Sequence, residues 1–141
     1  MQAKKQIKNY QLAVMFSFLF TLLGFSYNVW RMEITEENAN IRTACFELLL
    51  VLSELEQLIY IAHYDKDTSE GSPRKGWVKV GLIVDLSVLT SKKVKLSTLE
   101  LKNMWTTHWQ SIDHSEASVQ AIVTSLEDSR TEIKMLLQEL E

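Results

Sequence analysis

Between Gln11 and Trp30 the chain reads QLAVMFSFLFTLLGFSYNVW, without one Asp, Glu, Lys or Arg. At about 1.5 Å per residue a helix over that run is roughly 30 Å long, the hydrocarbon thickness of a bilayer. Tyr10 stands at one end and Tyr27 with Trp30 at the other, where amphipathic rings favour the membrane interface. Lys4, Lys5 and Lys8 precede the run with no acid among them, and Glu33, Glu36 and Glu37 follow it. Basic residues are retained on the cytoplasmic side, so the expected topology is N-terminus in and C-terminus out. Residues 1–9 then form a basic cytoplasmic tail, 10–30 a transmembrane signal-anchor helix and 31–141 an extracytoplasmic, periplasmic domain. The expected location is a bacterial inner membrane, crossed once.

A cleaved secretory signal competes with this reading. The basic start, the apolar run Leu12–Leu23 and the small residues Gly24 and Ser26 fit a leader ending near residue 26, which would make the protein a secreted helical one. The apolar run continues past that site into Tyr27 and Trp30, which favours an uncleaved anchor.

From Met32 onward lie all eighteen acidic residues but only eleven of the fifteen basic ones, since Lys4, Lys5, Lys8 and Arg31 come earlier. This acidic balance suits neither nucleic acid nor an anionic surface, and no nucleic-acid partner is expected. One proline and four glycines argue against a turn-rich sandwich or barrel. The single cysteine excludes an internal disulfide framework.

The outer part reads as an all-α bundle of three to four helices, the first one long. Positions 34, 38, 41, 45, 48, 52, 55, 59 and 62 alternate in steps of four and three, the seam of a long packed helix. Phe46, Leu49, Leu50, Val51, Leu58 and Ile61 widen its apolar surface, as for a helix buried on more than one side. Arg31 and the acid-rich Thr35-Glu-Glu-Asn38 argue for a break between this helix and the membrane segment. Residues 64–76, YDKDTSEGSPRKG, form the one clear loop. Asp65, Asp67 and Ser69 start a calcium-loop pattern there, but Glu70 and Gly76 stand where its glycine and bidentate glutamate belong.

Trp77 to Leu89 fits both a strand, through alternating Val and Leu, and a helix through Trp77, Val80, Val84 and Val88. With no third strand to complete a sheet, helix is the better reading. Ser97-Thr-Leu-Glu100 has the form of a capping box opening a helix to Ile112, and Asp113-His-Ser-Glu116 that of another. The last helix has its seam at Val119, Ile122, Leu126, Ser129, Ile133, Leu136 and Leu140.

Chemistry has few footholds. Cys45 falls on the long seam, where a thiol packs as a small hydrophobe. His63, His108 and His114 lack metal-ligand spacing, and neither a phosphate-binding glycine loop nor a nucleophile elbow occurs. No catalytic residue, metal or cofactor is expected. Lys92, Lys93 and Lys95 form the one outer basic patch. Two groups stand out. Ala13, Ser17, Thr21 and Gly24 recur on one side of the membrane segment, where small residues let helices approach closely in lipid. Trp77, Trp105, His108 and Trp109 could line an aromatic pocket for a small ligand. The first group points to a membrane-anchored, non-enzymatic interaction, scaffold or accessory subunit of a cell-envelope assembly, with itself or another single-pass protein as partner besides the lipid bilayer. The second points instead to a ligand-binding or sensory domain.

Overall fold

The computed structural model describes residues 2–140 and, among these, the side chains of residue 7 and residues 10–140. Lys4, Lys5 and Lys8 of the expected basic tail therefore lie outside the described side chains. Every regular element in the described residues is helical: α1 (Gln2–Tyr60), α2 (Pro73–Ser87), α3 (Lys92–His108) and α4 (Glu116–Glu139). A π-helical turn, Ile61–Asp65, ends α1, and a 3-10 turn, Trp109–Ser111, follows α3. The chain divides into two compact units, 1–38 and 39–141.

In the first unit the described apolar side chains are exposed. Helix α1 contains a stretch near the N-terminus that is long and apolar enough to cross a membrane, with none of it buried. The expected break at Arg31–Asn38 does not occur, since α1 stays helical through it. No proline or glycine interrupts residues 25–70. Thr35, the polar residue best placed to divert the backbone, instead donates its hydroxyl to the Arg31 carbonyl at 2.8 Å within the helix.

The second unit has its own core. Cys45, Leu48, Leu52, Leu55 and Ile59 are fully buried, as the heptad predicts. At 100° per residue they form, with Ala44, Val51 and Leu58, a stripe roughly 140° wide. Burial on more than one side is not observed. Phe46 and Leu50 lie on the opposite face and are more than half exposed. The seam also begins later than its pattern, because Ile34 is exposed and Asn38 and Ile41 are only half-buried.

Helix α4 runs antiparallel to this part of α1. Arg42 donates to the Leu140 carbonyl at 2.8 Å, Arg130 pairs with Glu56 at 2.6 Å, and His63 meets Glu116 at 2.9 Å. All the α4 seam positions from Val119 to Leu136 are buried, and Leu140 is half-buried.

Residues 77–87 are helical, as favoured, but their buried face is Gly76, Val80, Ile83 and Ser87. Trp77, Val84 and Val88 lie one position off it. The small residues Gly76 and Ser87 let α2 approach its neighbours, a role that hydrophobic periodicity does not register. Lys79 pairs with Glu54 at 2.6 Å and ties α2 to α1.

Both predicted capping boxes are displaced. Helix α3 opens at Lys92, with the Ser91 hydroxyl accepting from the Val94 amide at 3.3 Å. Ser97 lies inside the helix and donates to the Val94 carbonyl. Helix α4 is capped by Ser115, which accepts from the Ser118 amide, two residues after Asp113. In each case a nearby serine occupies the cap that local pattern gave to its neighbour.

The predicted loop 64–76 is shorter at both ends. The π-helical turn reaches Asp65, and Pro73 starts α2, where its fixed φ and missing amide are suited to a first turn. Between them Lys66 adopts the left-handed region at φ 57°.

Candidate functional site

The apolar segment of α1 and the tryptophan cluster lie in different units. Ala13, Ser17, Thr21 and Gly24 share one side of α1 within about 80° of arc, and all four are exposed. The Thr21 hydroxyl donates to the Ser17 carbonyl at 2.8 Å. A Cβ added at Gly24 would meet nothing within 4 Å. Nothing within the chain therefore requires a glycine there.

In the second unit the structure brings the three outer tryptophans together. Trp77 on α2 meets Trp105 on α3 with ring centroids 6.3 Å apart and planes at 88°, and meets Trp109 at 6.3 Å and 71°. Edge-to-face geometry of this kind aligns a positive ring edge with a negative ring face. Trp105 is fully buried, and Gly76 lies against its six-membered ring. Its indole N–H has no acceptor, the one such buried side-chain atom among the described residues.

His108 does not join the cluster's open side. Its Nδ1 lies 3.3 Å from the Ser118 hydroxyl on α4, which is also 2.8 Å from the Ser111 hydroxyl. The histidine is thus part of a polar contact between α3, the 3-10 turn and α4. Sequence proximity to Trp105 and Trp109 was a poor guide, because the His108 ring is engaged by the Ser118 hydroxyl on α4.

A cavity of about 310 Å³ opens beside the tryptophans. Leu58, Ala62, Trp105, Trp109 and Ile112 give it apolar walls, and Lys66, Asp67 and Asp113 stand among its polar lining. Neither Trp77 nor His108 lines it. The sequence did not reveal Leu58, Ala62 or Ile112 as lining residues, since about fifty residues of chain separate the first two from the third.

The cavity's lining is held by several local devices. Lys66 donates from Nζ to the Asp113 carbonyl. Asp67 Oδ1 accepts from the Ser69 and Glu70 amides at 2.8 and 3.1 Å, which together hold its carboxyl below the usual carboxylate range. The Gly71 amide donates to the Asp67 carbonyl at 2.9 Å. A side chain at Gly71 would strike the Ala62 backbone at 2.6 Å, so the loop can pack on the π-helical turn only with glycine here. His63 joins the turn to the far side through Nδ1, 2.6 Å from the Ile112 carbonyl, and Nε2, 2.9 Å from Glu116.

The remaining candidates resolve simply. Cys45 is fully buried and free, and burial raises its thiol pKa. Lys92, Lys93 and Lys95 are exposed. No cluster of three or more His, Cys, Asp or Glu suited to a metal occurs among the described residues, and the Asp67 carboxylate is occupied by its own turn. No protein-family model, curated protein or solved structure matches this chain.

Proposed function

We propose that this protein is a single-pass, membrane-anchored, non-enzymatic interaction subunit of a cell-envelope assembly. Residues 10–30 span the inner membrane with the N-terminus in the cytoplasm, and the helical domain lies in the periplasm. The carrying observation is the complete lack of burial of the apolar stretch in α1, beside a second unit whose core closes without it. In water, exposure of Phe16, Phe18, Phe20 and Phe25 together with the neighbouring leucines is strongly unfavourable; in lipid it is the stable arrangement.

The Ala13–Ser17–Thr21–Gly24 side is the proposed contact with a second copy or another single-pass protein. Small side chains there permit close backbone packing, which drives helix association where the hydrophobic effect does not operate. Ser17→Leu with Gly24→Leu keeps the segment apolar and adds bulk on that side. The open space around Gly24 means that such bulk meets nothing within the chain. In a membrane two-hybrid assay association should fall about tenfold, or ~1.4 kcal/mol, while membrane insertion is unchanged. Leu22→Phe, on the opposite side, should leave it intact. Equal association by both variants and the parent would remove this surface from the account.

A further inference from the structure

We propose that the cavity between the end of α1, the loop 66–72 and the turn after α3 is a binding site for an uncharged aromatic molecule of about two fused rings. This inference is independent of the membrane-helix contact, and the two can fail separately.

Size is the first argument. A dry apolar cavity of about 150 Å³ accepts a benzene. This one is about 310 Å³, room for roughly twice as much ring. It also falls in the range of small-ligand sites, which are mostly apolar with a few polar groups for orientation.

Chemistry is the second. Leu58, Ala62 and Ile112 offer aliphatic contact, while half-buried Trp109 offers aromatic surface for stacked or edge-on packing. The nearby charges are already engaged. Lys66 is bonded to the Asp113 carbonyl, Asp67 to the amides of its own turn, and Asp113 to His114. A charged ligand would have to displace these contacts, whereas a neutral one need not.

Local backbone structure is the third argument. Ala62 lies in the π-helical turn, an arrangement that inserts a residue into the α-helical ladder and recurs at functional sites. Here that turn forms a wall of the cavity and carries the chain into left-handed Lys66.

The test uses the full chain in lipid nanodiscs, photolabelled with a neutral phenyl trifluoromethyl diazirine and mapped by peptide mass spectrometry. Label is expected in peptides containing Leu58, Trp109 or Ile112, and excess quinoline should reduce it at least fivefold. Label in residues 10–30, which an apolar probe reaches through lipid, should not fall and serves as the internal reference. Ala62→Phe fills the cavity and should abolish the first set of labels. Thr68→Trp, a change at an exposed lining position, should do the same without touching the core. A circular-dichroism melt on each variant establishes folding. Label confined to residues 10–30, or cavity label unaffected by quinoline or by a folded filling variant, would overturn the site.

Discussion

Gly76→Ala and Gly81→Ala place the same methyl group five residues apart on α2, and the structure assigns them opposite signs. At Gly76 the new Cβ would lie 2.2 Å from two ring carbons of Trp105, more than 1 Å inside ordinary van der Waals contact. Trp105 is fully buried and its ring meets Trp77 edge to face, so it cannot swing clear without disturbing the core. Overpacking of this kind costs about 1–3 kcal/mol, and the depth of overlap favours the upper value. Replacing a helical glycine returns about 1 kcal/mol, which leaves a net loss of about 2 kcal/mol. For a core unit of about 100 residues, that lowers Tm by roughly 10 °C. At Gly81 a Cβ meets nothing within 4 Å, so only the gain of up to about 1 kcal/mol applies. Thermal melts at 222 nm on the full chain in detergent would measure both. Trp105→Phe removes the offending ring, so Gly76→Ala should cost less in that background than in the parent. If Gly76→Ala melts at or above Gly81→Ala, the close approach of α2 to Trp105 is wrong.

Three further outcomes follow from the second unit. Arg130→Met should destabilise it by about 1–3 kcal/mol in urea titrations, because Glu56 loses its partner while only one-fifth exposed; adding Glu56→Met should recover most of the loss. Cys45, buried and with its thiol pKa raised, should react with maleimide only as fast as the domain opens; labelling in native buffer at the rate seen in denaturant would contradict its placement. Asp67 has a lowered pKa through its bonds to the Ser69 and Glu70 amides, so its contribution is present above the unfolded value of about 3.9 and fades as pH falls through the lower folded value. Protection of those two amides against hydrogen exchange, corrected for intrinsic rate, should decline across that acid range and be absent at neutral pH in Asp67→Ala.

Periodicity made the main elements legible. The α4 seam and the Cys45–Ile59 stretch of α1 repeat a short local rule many times, and an uncharged run of twenty residues depends on no partner at all. Features resting on a single local motif fared worse. Ser97 and Asp113 each sit near a serine equally able to cap, and which serine ends outside the helix depends on where α3 and α4 meet the rest of the core. Phe46 and Leu50 are apolar without being buried, because no helix covers that side of α1 among the described residues. The tryptophans could be grouped from sequence since Trp105 and Trp109 are near neighbours. Their joining to Leu58, Ala62 and Ile112 could not, because contacts across fifty residues leave no spacing rule. Gly76 is the clearest omission: read as the last residue of the loop, it lies inside α2, where its missing side chain makes room for the Trp105 ring.

The most direct test of the membrane-anchored reading is the state of a C-terminal alkaline phosphatase fusion in a bacterial host, with activity and fragment length read from the same membrane fraction. An active enzyme is expected, since phosphatase matures only outside the cytoplasm, on a full-length product that resists carbonate extraction. An inactive full-length fusion, or activity carried by a soluble product shortened by about the first 26 residues, would contradict it.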